Sequence, residues 1–180
     1  MPFLIAAVIL LGVLCALDLV LTIGVIKRLR EHTERLALMG GGFATIDVGA
    51  EISAFESVTV DGVRLVRESL TEETVVAFFS PNCEPCKEKL PQFAEYVRTR
   101  PGGRSRALAV VVGEGDAGAP FVTALSPIAH VVVEGQNGPL NSAFRTTSYP
   151  TVVRVAPDGG GRLVVTASHV ELGRSAVSAA

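Results

Sequence analysis

Two cysteines stand two residues apart in the segment Cys83-Glu84-Pro85-Cys86, directly behind the apolar run Thr74–Ser80. That spacing lets both thiols sit at the start of one helix and close a short disulfide. Unpaired backbone N–H groups and the helix dipole favour an anion there. The thiolate is the attacking species in disulfide exchange, so a lowered pKa at Cys83 would activate it near neutral pH. Cys86, one turn further on, is expected to be less exposed and to act as the resolving thiol. Lys87 adds a positive charge beside the pair, and Glu84 opposes it. Asn82 and Pro85 complete the immediate surroundings.

Other uses of two thiols fit less well. A structural zinc site needs four ligands. The chain has no second cysteine pair, and its three histidines, His32, His130 and His169, are not spaced as partners. No metal is therefore expected. A static disulfide across so short a loop adds little stability by loop closure.

The elements that must carry the pair alternate between strand and helix. Val58–Val60 and Val63–Val66 flank Asp61-Gly62, a two-residue hairpin signal. Thr74–Ser80 is apolar throughout, as a central strand buried on both faces would be. A helix follows from Cys83 to Arg98, with Leu90, Phe93, Ala94 and Val97 on one face and Pro91 inside it. Arg106–Val112 reads as the next buried strand. A short helix is expected around Phe121–Leu125, a strand at His130–Val133, and another short helix at Leu140–Thr146. Thr151–Val155 and Arg162–Ala167 are strands joined by a turn at Asp158-Gly159. This alternation predicts an α/β fold with a mixed sheet and helices on both faces.

The composition divides the chain further. Of 180 residues, 48% are hydrophobic and 19% charged, and the net charge is −2. Such a balance argues against a basic nucleic-acid surface and against an intrinsically disordered chain. The hydrophobicity is concentrated between Pro2 and Ile26, where Asp18 is the only charged side chain. A helix of that length rises roughly 37 Å, enough to cross a bilayer. No basic segment precedes it, so it reads as an uncleaved anchor rather than a signal peptide. Cys15 within it reads as a small apolar side chain, and Asp18 as reaching toward the headgroups or another helix. The organisation expected is an anchor at 2–26, a polar helical stalk and glycine hinge at 27–48, a domain at 49–170 and a flexible tail at 171–180.

The passage around the cysteines resembles the thioredoxin-like superfamily, and within it the membrane-anchored TlpA-like disulfide reductases of bacteria and the MauD-type proteins. The resemblance runs from about Gly49 to Ala167. It rests on Gly49-Ala50, Ala54-Phe55, the strand before Cys83-Glu84-Pro85-Cys86, Lys87, Leu90-Pro91, Phe144, Ser148-Tyr149-Pro150-Thr151 and the Asp158-Gly159 hairpin. It implies a thioredoxin-like fold, a central mixed β-sheet flanked by helices, preceded by one N-terminal transmembrane helix. It further implies a cis Pro150 beside the cysteines and a Tyr149 backbone that pairs with an extended substrate segment. Some positions depart from the family pattern. Ala77 stands where a buried Asp often lies, Asn82 replaces a Trp, and Ser53 and Ala54 stand in place of a Pro-Asp.

The activity implied is thiol–disulfide exchange, with Cys83 attacking and Cys86 resolving, and with no cofactor beyond their redox-active disulfide. Implied partners are a client protein with a cysteine or disulfide, such as an apocytochrome or another secreted enzyme, an upstream membrane or thioredoxin-type electron donor, and the lipid bilayer. No nucleic acid is implied. Two other readings compete. One is a peroxiredoxin-like peroxidase, although the hydroxyl residue and Arg that support a peroxidatic Cys are not evident. The other is a copper carrier using Cys83, Cys86 and His130, since soft thiolates suit Cu(I). Lys27, Arg28, Arg30 and Arg35 behind the anchor favour a cytoplasmic domain, whereas the resemblance favours an extracytoplasmic one. Long domains cross regardless of flank charge, so the balance leans outward.

Overall fold

The segment from Gly49 to Ile52 runs along what becomes the last strand, its N–H groups donating to the Val165 and Leu163 carbonyls at 2.8 and 2.9 Å. In this computed structural model the described residues are 46–172 apart from His169, together with Gly12. All of the expected anchor but Gly12, most of the stalk and most of the tail lie outside them. The chain divides between Phe43 and Ala44, and the second unit is described below. Among the described residues, no helix is long and apolar enough to cross a membrane.

Two short antiparallel strands come first, β1 (Glu56–Val58) and β2 (Arg64–Val66). The expected two-residue turn is in fact a five-residue connection, because Val58 pairs with Arg64 rather than closing nearer to Asp61-Gly62. Thr59 holds it. Its N–H donates to the Val63 carbonyl at 2.9 Å, and its hydroxyl accepts the Val63 N–H at 3.1 Å. Gly62 sits at φ +80°, where a side chain would be strained.

The main sheet follows. Its strands are β3 (Thr74–Phe79), β4 (Ala107–Val112), β5 (His130–Glu134), β6 (Thr151–Pro157) and β7 (Leu163–Ala167), in spatial order β5-β4-β3-β6-β7. β3, β4 and β5 are parallel, β6 is antiparallel to β3, and β7 is antiparallel to β6. Every residue of β3 and β4 is buried, as an unbroken apolar run in a sheet covered on both faces requires.

Side-chain alternation splits the core in two. Val76, Phe78, Leu108 and Val110 face a layer with Phe55, Leu65, Leu140 and Phe144. Val75, Ala77, Phe79, Ala109 and Val111 face the other layer. There they meet α1 (Glu84–Thr99) and α2 (Ala119–Leu125) through Cys86, Phe93, Val97, Phe121 and Leu125. The short α3 (Pro139–Ala143) lies on the first face, where Phe144 rests 5.2 Å from Phe78 and 6.2 Å from Phe55. It ends sooner than Thr146, because Arg145 turns into the left-handed region at φ +48°.

Candidate active site

The cysteine pair is placed by the end of β3. After Phe79 the chain turns through Ser80, Pro81 and Asn82, with the Cys83 N–H donating to the Ser80 carbonyl at 3.1 Å. Cys83 is extended (φ −101°, ψ 113°) and caps α1, and Pro85 falls in the first turn, where its missing N–H leaves nothing unpaired. The helix therefore starts at Glu84, one residue later than expected. The Cys83 carbonyl accepts the Cys86 N–H at 3.1 Å.

The two thiols are unbonded and differ in surroundings. Cys83 is partly exposed, while Cys86 is 0% exposed. The Cys83 thiol donates to the Tyr149 carbonyl at 3.3 Å. The Cys86 sulfur accepts the Ser80 N–H at 3.4 Å. Burial above all, and then the hydrogen bond with Cys83, push the Cys86 thiol far above its ordinary value, against a smaller opposite pull from the Ser80 N–H. At neutral pH the buried Cys86 thiol is therefore held in its protonated form.

The Tyr149–Pro150 peptide is cis, and its backbone lies against Cys83. Tyr149 is half-buried, and its hydroxyl donates to Asn141 Oδ1 at 2.9 Å. Burial raises its pKa first, with the charge of Glu134 adding to that and the Asn141 bond opposing it.

Asn82, Glu84, Pro85 and Lys87 are all exposed around the pair. Lys87 and Glu84 form an ion pair at 2.8 Å, so the positive charge is partly neutralised by the residue expected to oppose it. Ala77 is wholly buried on the face that also holds Cys86. His130 is not brought to the thiols. It opens β5 opposite Leu108, near the start of β4, whereas the cysteines follow the far end of β3, where Phe79 pairs with Val111. Parallel strands rise about 3.3 Å per residue, so three residues of strand already separate His130 from that end. A copper site of Cys83, Cys86 and His130 is thereby excluded as geometry. Among the described residues, no cluster of three His, Cys, Asp or Glu is placed to hold a metal ion.

Two further residues belong to this neighbourhood and were not foreseen. Glu134 and Asn141 are buried polar groups connected to Tyr149. A carboxylate closing an apolar strand is the only hint in the sequence. Asn141 lies between apolar Leu140 and Ala143 in a segment that reads as an ordinary short helix.

No protein-family model and no curated protein matches the chain. Solved structures do. A thiol:disulfide interchange protein from Bacteroides sp. superposes with a TM-score of 0.54 at 11% identity, covering 70% of this chain and 83% of that one. A thioredoxin-family thiol:disulfide interchange protein from Chlorobium tepidum TLS gives 0.50 at 23% identity, over 72% and 89%. A secreted disulfide oxidoreductase of Mycobacterium tuberculosis gives 0.50 at 19% identity, over 64% and 87%. Likeness at such identities speaks for the backbone arrangement, and together with the strand order it establishes that the domain has a mixed α/β thioredoxin-like fold.

Proposed function

We propose that the chain is a thiol–disulfide oxidoreductase tethered to a membrane by its N-terminal segment. The observation that carries this reading is the asymmetry of the pair. Cys83 is partly exposed at a helix start and touches the Tyr149 backbone, while Cys86 is buried one turn away.

In the reductive direction the Cys83 thiolate attacks one sulfur of a client disulfide. A Cys83–client disulfide forms, and the other client sulfur leaves as a thiolate that takes up a proton. Cys86 then gives up its proton and attacks the Cys83 sulfur. The Cys83–Cys86 disulfide forms, and the second client thiol is released. Two electrons have passed to the client, and an upstream dithiol restores the pair. Run backwards, the same steps oxidise a client dithiol. Tyr149 and Pro150 present the backbone along which an extended client segment lies, with Asn82, Glu84, Pro85 and Lys87 forming the rim. Clients of this kind are proteins with exposed cysteines, such as an apocytochrome or another secreted enzyme, and the domain then faces away from the cytoplasm.

The test is a Cys86→Ser trap expressed in cells as the full chain. A mixed disulfide through Cys83, released by reductant, is expected, and its partner identifies the client and the side of the membrane. Absence of any trapped species under both reducing and oxidising growth would overturn the reading.

A further inference from the structure

Asn141 occupies a place where the fold otherwise uses apolar side chains. It is 6% exposed, with Leu140 and Ala143 buried on either side of it in α3. Its side chain is fully engaged. Nδ2 donates to the Gln136 carbonyl at 2.6 Å and to the Thr146 carbonyl at 3.2 Å. Oδ1 accepts the Tyr149 hydroxyl at 2.9 Å. One amide therefore ties together the loop before α3, the loop after it and the residue that touches Cys83.

Asn141 is held in turn by Glu134, the 9%-exposed end of β5. Glu134 Oε1 accepts the Asn141 N–H at 2.6 Å, and Oε2 accepts the Leu140 N–H at 3.2 Å. A carboxylate receiving N–H groups from the first turn of a helix suits the unpaired donors found there. The other side-chain hydrogen bond to the loop from Thr146 to Ser148 comes from β6, where the Thr151 hydroxyl donates to the Ser148 carbonyl at 2.7 Å. Among the described residues, Thr146 Oγ1 and Ser148 Oγ are buried without partners.

For packing alone, an apolar residue at 141 would serve, since a buried amide is costly unless all its hydrogen bonds are made. What the amide adds is direction. It fixes three backbone segments relative to one another, and the last of these carries the carbonyl that receives the Cys83 thiol at 3.3 Å.

We propose that Asn141, held by Glu134, is a positioning residue for disulfide exchange at Cys83. It acts through the Tyr149 hydroxyl to fix the backbone at Tyr149–Pro150 against which a client segment must lie. This rests on the thiol–disulfide reading above. A misplacement of the order of 1 Å in a positioning element is enough to cost catalysis heavily, although here the loss falls on client binding rather than on the thiol.

The experiment uses the full chain in detergent and compares the native protein with Tyr149→Phe, Asn141→Leu and the double variant. The probe is a synthetic peptide with one internal disulfide, turned over with dithiothreitol as the regenerating dithiol, and Cys83 alkylation by iodoacetamide is measured in parallel. Each single variant is expected to raise the peptide KM about tenfold, with kcat within about threefold and alkylation of Cys83 not slowed. The double variant is expected to be no worse than the poorer single variant, the sign of one shared interaction. Additive losses, a fall in kcat at unchanged KM, an equal slowing of alkylation, or unchanged kinetics would each overturn the proposal while native turnover leaves the oxidoreductase reading intact. A native protein that is alkylated at Cys83 but turns over no peptide overturns both. Should Asn141→Leu not fold, Tyr149→Phe decides alone, because it removes a single oxygen and keeps the ring.

Discussion

The Cys83 thiol and the Tyr149 carbonyl, 66 residues apart in the chain, lie 3.3 Å apart in space. That contact joins the start of α1 to the loop before β6. It puts a partly exposed sulfur beside a backbone edge, and Cys86 has no such exposure.

The first prediction follows from this difference between the thiols. In the native protein, iodoacetamide should modify Cys83 and leave Cys86 untouched, with Cys86 slower by on the order of 100-fold or more. Peptide mapping by mass spectrometry checks it, with a denatured sample as the control in which both react. Burial holds the Cys86 thiol above its ordinary value of 9.0. A thiol with a raised folded pKa contributes stability that is present below the unfolded value and is lost as pH rises through the folded one. Cys86 labelling should therefore appear only in alkali strong enough to open the domain. Equal labelling of both thiols at neutral pH would refute the assignment of roles.

The same contrast shows how far the sequence could be read. The central strands were legible because β3 and β4 are unbroken apolar runs, a pattern that follows directly from a sheet covered on both faces. The placing of Cys83 and Cys86 at one helix start was legible from their spacing, and the cis Pro150 through the family resemblance. Asn141 and Glu134 were not. Polar residues in short amphipathic stretches usually face water, and only the packing of α3 across the sheet buries these two. The length of the β1–β2 connection was misread for a related reason. Asp61-Gly62 signals a tight turn, but the hairpin is also held from outside, where the Val60 N–H donates to the Val131 carbonyl of β5 at 2.8 Å.

Gly113 yields a second prediction. A Cβ at this position would lie 3.0 Å from Cδ and 3.2 Å from Cγ of Pro81, a buried ring two residues before Cys83. A proline ring has no flexible end to swing aside, so the displacement passes to the turn that positions the thiol. Gly113→Val should cost about 1–3 kcal/mol of stability by overpacking and slow peptide exchange several-fold. Gly159→Ala, with nothing within 4 Å of the added carbon, should do neither. Urea titration and peptide turnover on both variants make the comparison, and a Gly113→Val protein indistinguishable from native would show that the turn absorbs the strain.

Phe144 carries the third prediction. It is 0% exposed and packs against Phe78 of β3 and Phe55 of the opening segment. Phe144→Ala should destabilise the domain by about 3–5 kcal/mol, the usual cost of deleting a buried aromatic ring. Phe144→Leu should recover much of that loss, since it retains most of the apolar volume. Thermal or urea unfolding gives both values, and a loss below about 1 kcal/mol for the alanine variant would mean the site collapses around the gap.

The last prediction concerns pH and His130. Among the described residues its Nδ1 is buried without a partner, and the charges of the Asp61–Arg104 ion pair act on the side chain. Burial first, and then the Arg104 charge, hold its pKa below the ordinary 6.5, while Asp61 pulls the other way. Above 6.5 the imidazole is neutral both folded and unfolded, and its contribution to stability is fully present. As pH falls through the lowered folded value, the unfolded chain has already taken up a proton that the native site resists, and that contribution is lost. Urea midpoints should therefore decline as pH falls from about 6.5 to about 5, and His130→Phe should flatten the decline. A native profile that is already flat over that range, or a variant profile that falls as steeply, would show that His130 titrates freely in the folded domain.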